Sequence, residues 1–118
     1  MKLTFLFIFI CFLSGCSTEH RIDTSSIGEI TILVKQERLT FQSGSIVHSK
    51  ITEWIKKNRD GWESYYATAA IGKYVIKAKG FTLNVGREYA VLNYEYSSGK
   101  YKQLSKPVME QEFYFIDE

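Results

Sequence analysis

Residues 73–96 read KYVIKAKGFTLNVGREYAVLNYEY, and this stretch decides the fold. Apolar and polar residues alternate through residues 73–79, again through 81–85, and through much of 88–96. A period of two is typical of strands that bury one face of a sheet. We therefore predict that this part of the chain forms an antiparallel meander.

The loop between the second and third of these segments should set their register. Gly86-Arg87 can serve as a two-residue type II′ loop, which needs glycine in its first position. Such a loop would place Leu83 opposite Ala90 and Phe81 opposite Leu92, with both pairs on one face. Beyond the meander, the sequence EFYFI at residues 112–116 predicts a closing strand.

The segment before the meander has a different period. Its apolar residues follow the i, i+4, i+7, i+8 spacing of an amphipathic helix. They are Val47, Ile51, Trp54 and Ile55. Ser45 is a candidate N-cap, and short alternating segments at 30–34 and 39–41 predict a hairpin before the helix. The predicted fold class is α+β: one amphipathic helix (about 45–59) packed on an antiparallel β-sheet, which is mostly a C-terminal meander.

A helix on one face of the sheet would leave the other face open. That face would carry Lys73, Lys77, Lys79, Thr82, Asn84, Tyr89 and Asn93. Tyrosine and tryptophan often anchor protein interfaces, and lysines beside them would suit an acidic partner or a glycan. The candidate partner-binding residues are Trp62, Tyr66, Lys77, Lys79, Asn84 and Tyr89. The alternative is an ordinary solvated sheet surface, on which strand tyrosines are common.

The N-terminus carries a sorting pattern. Lys2 precedes an almost unbroken apolar run, residues 3–13, which fits a signal peptide and is short for a membrane span. Leu13-Ser14-Gly15-Cys16 follows directly and resembles the lipobox of bacterial lipoproteins. The resemblance implies that a lipid is joined to Cys16 through a thioether. Because Ser17 rather than aspartate follows, it also implies delivery to the outer membrane, facing the periplasm. The alternative is an ordinary secretory signal or N-terminal anchor.

The predicted organisation is a signal peptide (1–15), a lipidated tether (16–28) and a single α+β domain (29–118). Cys11 would leave with the signal peptide and Cys16 would carry lipid, so we expect no disulfide and no cysteine-based metal site. Loss of Lys2 leaves fourteen of the fifteen basic residues against thirteen acidic ones. This near balance argues against a nucleic-acid partner, and no cofactor or metal is expected.

No catalytic motif stands out in the sequence. His20 lies in the predicted tether and His48 near the helix start, and neither has a serine or aspartate partner at a recognisable spacing. We predict that His48 is a surface residue. Glu110 and Glu112 would share one face of an extended segment, which predicts a solvated edge because nothing indicates the apolar pocket that acid–base catalysis needs. The protein is therefore predicted not to be an enzyme, and a small envelope hydrolase is the less favoured alternative.

Three segments resemble small proteobacterial immunity proteins of the kind found beside toxins. They are residues 54–62, 81–84 and 91–94, and the resemblance covers about residues 46–96. It carries no functional residue onto this chain. It implies a lipid-anchored inhibitor that occludes a toxin acting in the envelope. The alternative is a structural or assembly accessory lipoprotein of the outer membrane.

Overall fold

The computed structural model describes residue 24, residues 27–68 and residues 71–117 of the chain. Within these ranges the chain forms seven strands, one α-helix and a C-terminal 3₁₀ helix. The strands are β1 (Ile30–Val34), β2 (Glu37–Phe41), β3 (Glu63–Ser64), β4 (Tyr74–Ala78), β5 (Phe81–Val85), β6 (Tyr89–Ser97) and β7 (Lys100–Pro107). The α-helix, α1, is Ile46–Lys57 and the 3₁₀ helix is Glu110–Asp117. The predicted signal peptide, Cys16 and most of the predicted tether lie outside the described residues.

The seven strands of the described chain form one sheet in the order β2-β1-β4-β5-β6-β7-β3. All neighbouring pairs are antiparallel, and β4 to β7 form the predicted meander. The apolar residues of α1 join one hydrophobic core with the inward side chains of the strands. The predicted α+β class, with a helix packed on a largely C-terminal meander, is confirmed.

The register of the β5–β6 hairpin differs from the prediction. Leu83 lies opposite Leu92 rather than Ala90, and the other pairs of the hairpin are shifted by the same two residues. The cause is the loop, which is residues 87–88 and not Gly86-Arg87, because the amide of Gly86 is still hydrogen-bonded across the ladder. An even shift leaves every side chain on its predicted face. The predicted assignment of side chains to the two faces of the sheet is therefore confirmed, although the predicted cross-strand pairs are wrong.

Helix α1 begins and ends close to its predicted bounds. The Ser45 Oγ accepts a hydrogen bond from the backbone N–H of His48 (3.2 Å), which is the predicted N-cap contact. At the other end, the backbone N–H of Asn58 donates to the carbonyls of Trp54 and Ile55. The apolar stripe of the helix packs against the sheet.

His48 is buried, so the prediction of a surface histidine is wrong. Its Nε2 lies 2.6 Å from the carbonyl oxygen of Gly28, which requires the ring to donate a hydrogen there. A buried polar ring is tolerated where it has such a partner. The contact ties the start of α1 to the chain just before β1. Ile27 is buried beside it, although the polar pattern assigns this residue to the tether.

Residues 110–117 form a 3₁₀ helix, so the closing strand predicted at 112–116 is wrong. Phe113 and Ile116 are both buried, and a spacing of three places them on one side of a helix with three residues per turn. A strand would have sent them to opposite faces. The ring centroid of Phe113 lies 4.9 Å from that of Trp54, so the 3₁₀ helix packs directly against α1.

The glutamates of this segment serve as hydrogen-bond acceptors, and their prediction as a strand edge is wrong. One carboxylate oxygen of Glu112 accepts from the Trp54 indole (3.1 Å) and the other from the N–H of Met109 (2.9 Å). Glu110 accepts from the Tyr114 hydroxyl (3.2 Å). Of these three hydrogen bonds, the one from Trp54 ties the 3₁₀ helix to α1, and the one from Tyr114 lies within the 3₁₀ helix.

The end of the 3₁₀ helix is held by Tyr74, whose hydroxyl donates to Oδ2 of Asp117 (2.5 Å). The Nζ of Lys73 lies 3.4 Å from the same oxygen. The Tyr74 hydrogen bond, together with Lys73, holds the pKa of Asp117 below its usual range and outweighs the opposing effect of burial. Burial and the nearby carboxylate raise the pKa of Tyr74 above its usual value.

We expect Asp117→Asn to lower the free energy of unfolding by about 1 kcal/mol at neutral pH, because the acceptor for Tyr74 loses its negative charge, and with it the attraction to Lys73, at a partly exposed site. The folded pKa lies below the unfolded one. The carboxylate therefore contributes fully above pH about 4, and its contribution is lost as the pH falls through the folded pKa. Urea unfolding of both proteins at descending pH measures this. A difference that stays constant into the acid range would contradict the assignment.

Candidate binding face of the sheet

The sheet has one covered face and one open face. α1 and the 3₁₀ helix cover the face that carries the core side chains. Residues paired across neighbouring strands share a face, so the registers place the open-face residues in rows across the sheet. One row contains Lys77, Thr82, Asn93 and Gln103, and the next contains Val75, Asn84, Val91 and Ser105.

The connection between β3 and β4 starts at the β7 edge of this open face. We call residues 65–72 the crossing segment; the structure describes all of it except residues 69–70. The backbone N–H of Tyr65 donates to the carbonyl of Gln103 (3.0 Å), and the Gln103 side chain donates back to the carbonyl of Tyr65 (3.0 Å). These bonds fasten the first part of the crossing segment to β7.

The other end of the crossing segment is fastened at Gly72. Its N–H donates to Oδ1 of Asn84 on β5 (2.7 Å). The approach is so close that a Cβ atom at this position would overlap the backbone carbonyl of Val85. Glycine is therefore required by contact with the sheet. The hydrogen bonds at Tyr65 and Gly72 therefore hold the two ends of the crossing segment at β7 and β5, and β6 lies between these strands.

Between these fastenings the open face has a small apolar layer of its own. Val91 is only 2 % exposed although it belongs to the open-face rows, and it lines a cleft together with Ile71 and Gly72. The rings of Tyr65 and Tyr89 pack with their centroids 6.2 Å apart. A hydrogen bond with Tyr89 raises the pKa of Tyr65. The crossing segment is thus supported by ring packing as well as by backbone hydrogen bonds.

Two large apolar side chains project from the crossing segment into solvent. Tyr66 is 95 % exposed and Ile71 is 87 % exposed. Loops positioned by a rigid scaffold often carry binding residues, which makes these two side chains candidates. Tyr66 belongs to the predicted set. Ile71 does not, because it stands in the run Ala69-Ala70-Ile71-Gly72 with no periodic apolar neighbour to draw attention to it.

A cleft borders the crossing segment on each side. One of about 520 Å³ lies between Tyr65, Tyr66 and the first half of β7. A second of about 320 Å³ lies between Ile71 and the β5–β6 loop, with Tyr89 in its wall. Both have room for side chains of a partner. Tyr66 lines the first of these clefts and Ile71 lines the second.

The predicted binding residues do not form one patch. Tyr66, Asn84 and Tyr89 belong to the crossing segment or its support. Trp62 packs into the core on the covered face and is only 8 % exposed, although it also lines the cleft beside Tyr66. Its indole donates to the carbonyl of Asn58 (2.6 Å), and its ring meets that of Trp54 edge-on. Trp62 therefore closes the core beneath the end of α1.

Lys77 and Lys79 are exposed but lie toward the other end of the strands. Lys77 shares a row with Asn93, which is four residues along β6 from Tyr89. At about 3.4 Å per residue this is about 14 Å, and Lys79 lies one row further still. The lysines and Tyr89 thus occupy opposite halves of the open face.

The crossing segment offers apolar and aromatic side chains for contact with a partner. In the part of the chain that the structure describes, no group of three or more His, Cys, Asp or Glu side chains is placed to hold a metal ion. The described residues also include no helix with the length and apolar character needed to cross a membrane. The exposed groups of the crossing segment are aromatic and aliphatic, and they suit recognition of a complementary surface.

Comparison with known proteins found no relative that could indicate a function. The chain matches no protein family, no curated protein and no solved structure. What can be argued about its function rests on the N-terminal pattern and on the geometry of the open face.

Proposed function

We propose that this chain is a lipid-anchored protein of the bacterial envelope that binds a protein partner without catalysis. In its specific form, it is an immunity-type inhibitor of an envelope-acting toxin, held at the outer membrane and facing the periplasm. The observation that carries the binding proposal is the exposure of Tyr66 and Ile71 on the crossing segment. The lipid anchor rests on Leu13-Ser14-Gly15-Cys16.

The way in which the crossing segment is held supports a binding role. Hydrogen bonds at Tyr65 and Gly72 fasten its two ends before any partner arrives. Residues that are held in place in advance lose less conformational entropy when they bind. Tyrosine is also a frequent energetic anchor at interfaces, because it brings a large rigid ring with a polar tip. Tyr66, with one of the clefts beside it, fits this pattern.

A lipid tether would suit an inhibitor that acts by occlusion. Holding the domain at the membrane raises its effective concentration near a target in the same envelope. Inhibition by occlusion requires only a complementary surface that covers the toxin. The aromatic and aliphatic character of the crossing segment provides such a surface.

We expect Tyr66→Ala combined with Ile71→Ala to weaken binding to the partner at least about 30-fold, since loss of an interface anchor commonly removes about 2 kcal/mol or more. Stability should change by no more than about 0.5 kcal/mol, because both side chains are exposed. Affinity capture from native envelopes with the tagged mature protein, followed by titration of the recovered protein, measures this. Met109→Ala is the matched control, because Met109 is an apolar residue outside the crossing segment and is 53 % exposed.

The captured protein distinguishes the candidate functions. Recovery of one toxin-like protein in stoichiometric amount, lost in the double variant and retained in the control, would support the inhibitor. Recovery of an outer-membrane complex would favour an accessory lipoprotein instead. Equal recovery by the wild type and the double variant would refute the crossing segment as the site.

A further inference from the structure

One end of the sheet is the place where the tether joins the domain. Because neighbouring strands are antiparallel, the start of β1, the end of β4 and the β6–β7 turn lie at this same end. The start of α1 lies there too, since His48 contacts Gly28. We define the tether end as residues 27–29, 45–48, 77–80 and 95–102.

The tether end carries a net positive charge. The tether end carries the lysines 77, 79, 100 and 102 against the glutamates 29 and 95, a formal charge of +2 (four minus two). The opposite end of the strands contains the β1–β2 turn, the start of β4 and the β5–β6 loop.

Exposed apolar and aromatic side chains accompany the lysines of the tether end. Ile46 is exposed in the first turn of α1, and Tyr96 and Tyr101 are exposed in the β6–β7 hairpin. The Nζ of Lys102 lies 4.9 Å from the ring centroid of Tyr96. Tyrosine rings are enriched at the level of the lipid headgroups, and lysines near the membrane are attracted to anionic lipids. The tether end combines both features.

The length of the tether limits how far this end can lie from the lipid. From Cys16 to Ile27, the first buried residue that the structure describes, the chain advances eleven residues (27 minus 16), which span at most about 40 Å. We propose that the tether end docks on anionic headgroups of the membrane in which the Cys16 lipid is inserted. This inference rests on the lipid anchor of the proposed function.

Docking would divide the predicted binding residues between two surfaces. Lys77 and Lys79 would contact the membrane. Tyr89 and the Gly72 end of the crossing segment would point away from it, because they lie toward the opposite end of the strands. The domain would then present Ile71 and Tyr89 to the periplasm, while Tyr66, which lines a cleft with Tyr101 and Lys102, would lie nearer the headgroups.

A fluorophore at one of two matched positions tests the docking in the lipidated mature protein. Ser98→Cys places it in the β6–β7 turn at the tether end, and Glu88→Cys places it in the β5–β6 loop at the opposite end. Cys16 would be blocked by lipid, so each variant has one free thiol. The proteins are bound to phosphatidylcholine vesicles with or without phosphatidylglycerol, and a headgroup-attached quencher reports proximity.

The ratio of quenching at position 98 to that at position 88 is the readout. Adding phosphatidylglycerol should raise this ratio about threefold, because anionic lipid attracts the lysines. Salt at about 0.5 M should abolish the rise through screening. The variant Lys77→Gln, Lys79→Gln, Lys100→Gln, Lys102→Gln should show no rise while it remains bound to the vesicles.

The outcomes separate the docking from the anchor. The same ratio on both kinds of vesicle, with the protein bound, would overturn the docking and leave the anchor intact. A rise that survives in the four-lysine variant would also overturn it. A mature protein that floats with neither kind of vesicle would overturn the anchor, and the docking with it.

Discussion

Replacing Gly72 by alanine is expected to lower the free energy of unfolding by about 2–3 kcal/mol, because the new Cβ would overlap the backbone carbonyl of Val85. That carbonyl belongs to β5, a strand paired on both sides, and cannot move aside as a flexible side chain would. The other route is for the crossing segment to lift and give up the hydrogen bond from Gly72 to Asn84. Either route displaces Ile71, so binding to the partner should weaken as well.

Gly86→Ala is the matched control for this substitution. A Cβ at Gly86 would come within 3.2 Å of the carbonyl of Tyr89, a tight contact without overlap. We expect this variant to lose no more than about 1 kcal/mol. Urea unfolding of the two variants and the wild type gives the comparison. Equal small losses at both positions would show that the crossing segment does not approach β5 as closely as described.

Replacing Cys16 by alanine is expected to abolish lipid attachment completely. The thioether needs the Cys16 sulfur, and no other side chain in the Leu13-Ser14-Gly15-Cys16 pattern can supply it. The precursor should accumulate with its signal peptide uncleaved. Labelling cells with a palmitate analogue and determining the mass of the purified protein measure both effects.

Cys11→Ala is the control, because Cys11 lies within the predicted signal peptide and would be absent from the mature protein. This variant should be processed and labelled like the wild type. Palmitate labelling that persists in Cys16→Ala would refute the anchor. Loss of labelling in both variants would show that the effect is not specific to position 16.

The fold was predictable wherever the apolar residues recur with the regular spacing of a strand or a helix. The alternation in residues 73–96 specified the meander, and the spacing from Val47 to Ile55 specified α1. The predictions failed where the conformation or burial of a residue depends on a contact with a distant part of the chain. His48 is buried because the Gly28 carbonyl is there to accept its hydrogen. Residues 110–117 are helical, and the helix places Phe113 and Ile116 on one buried side. The sequence hides this spacing of three, because Tyr114 and Phe115 lie between the two residues.

The candidate site was predictable only in part, for a similar reason. Tyr66 and Tyr89 stand out by residue type, and the even register error left Tyr89 and Asn84 on their predicted face. Trp62 has the same aromatic signal, but its exposure is decided by the end of α1, which covers it. Ile71 has no sequence signal at all. Its exposure follows from the path of the crossing segment over the sheet.

The central claim is that the crossing segment binds a protein in the envelope, and site-specific photo-cross-linking in living cells tests it most directly. A photoreactive phenylalanine analogue, which keeps the aromatic ring, would replace Tyr66 in one strain, and in another it would replace Glu53, which is exposed on the outer side of α1. We predict one discrete adduct from position 66, formed when cells meet toxin-producing siblings, and none from position 53. Adducts of equal intensity from both positions, or none from position 66 under attack, would contradict the account.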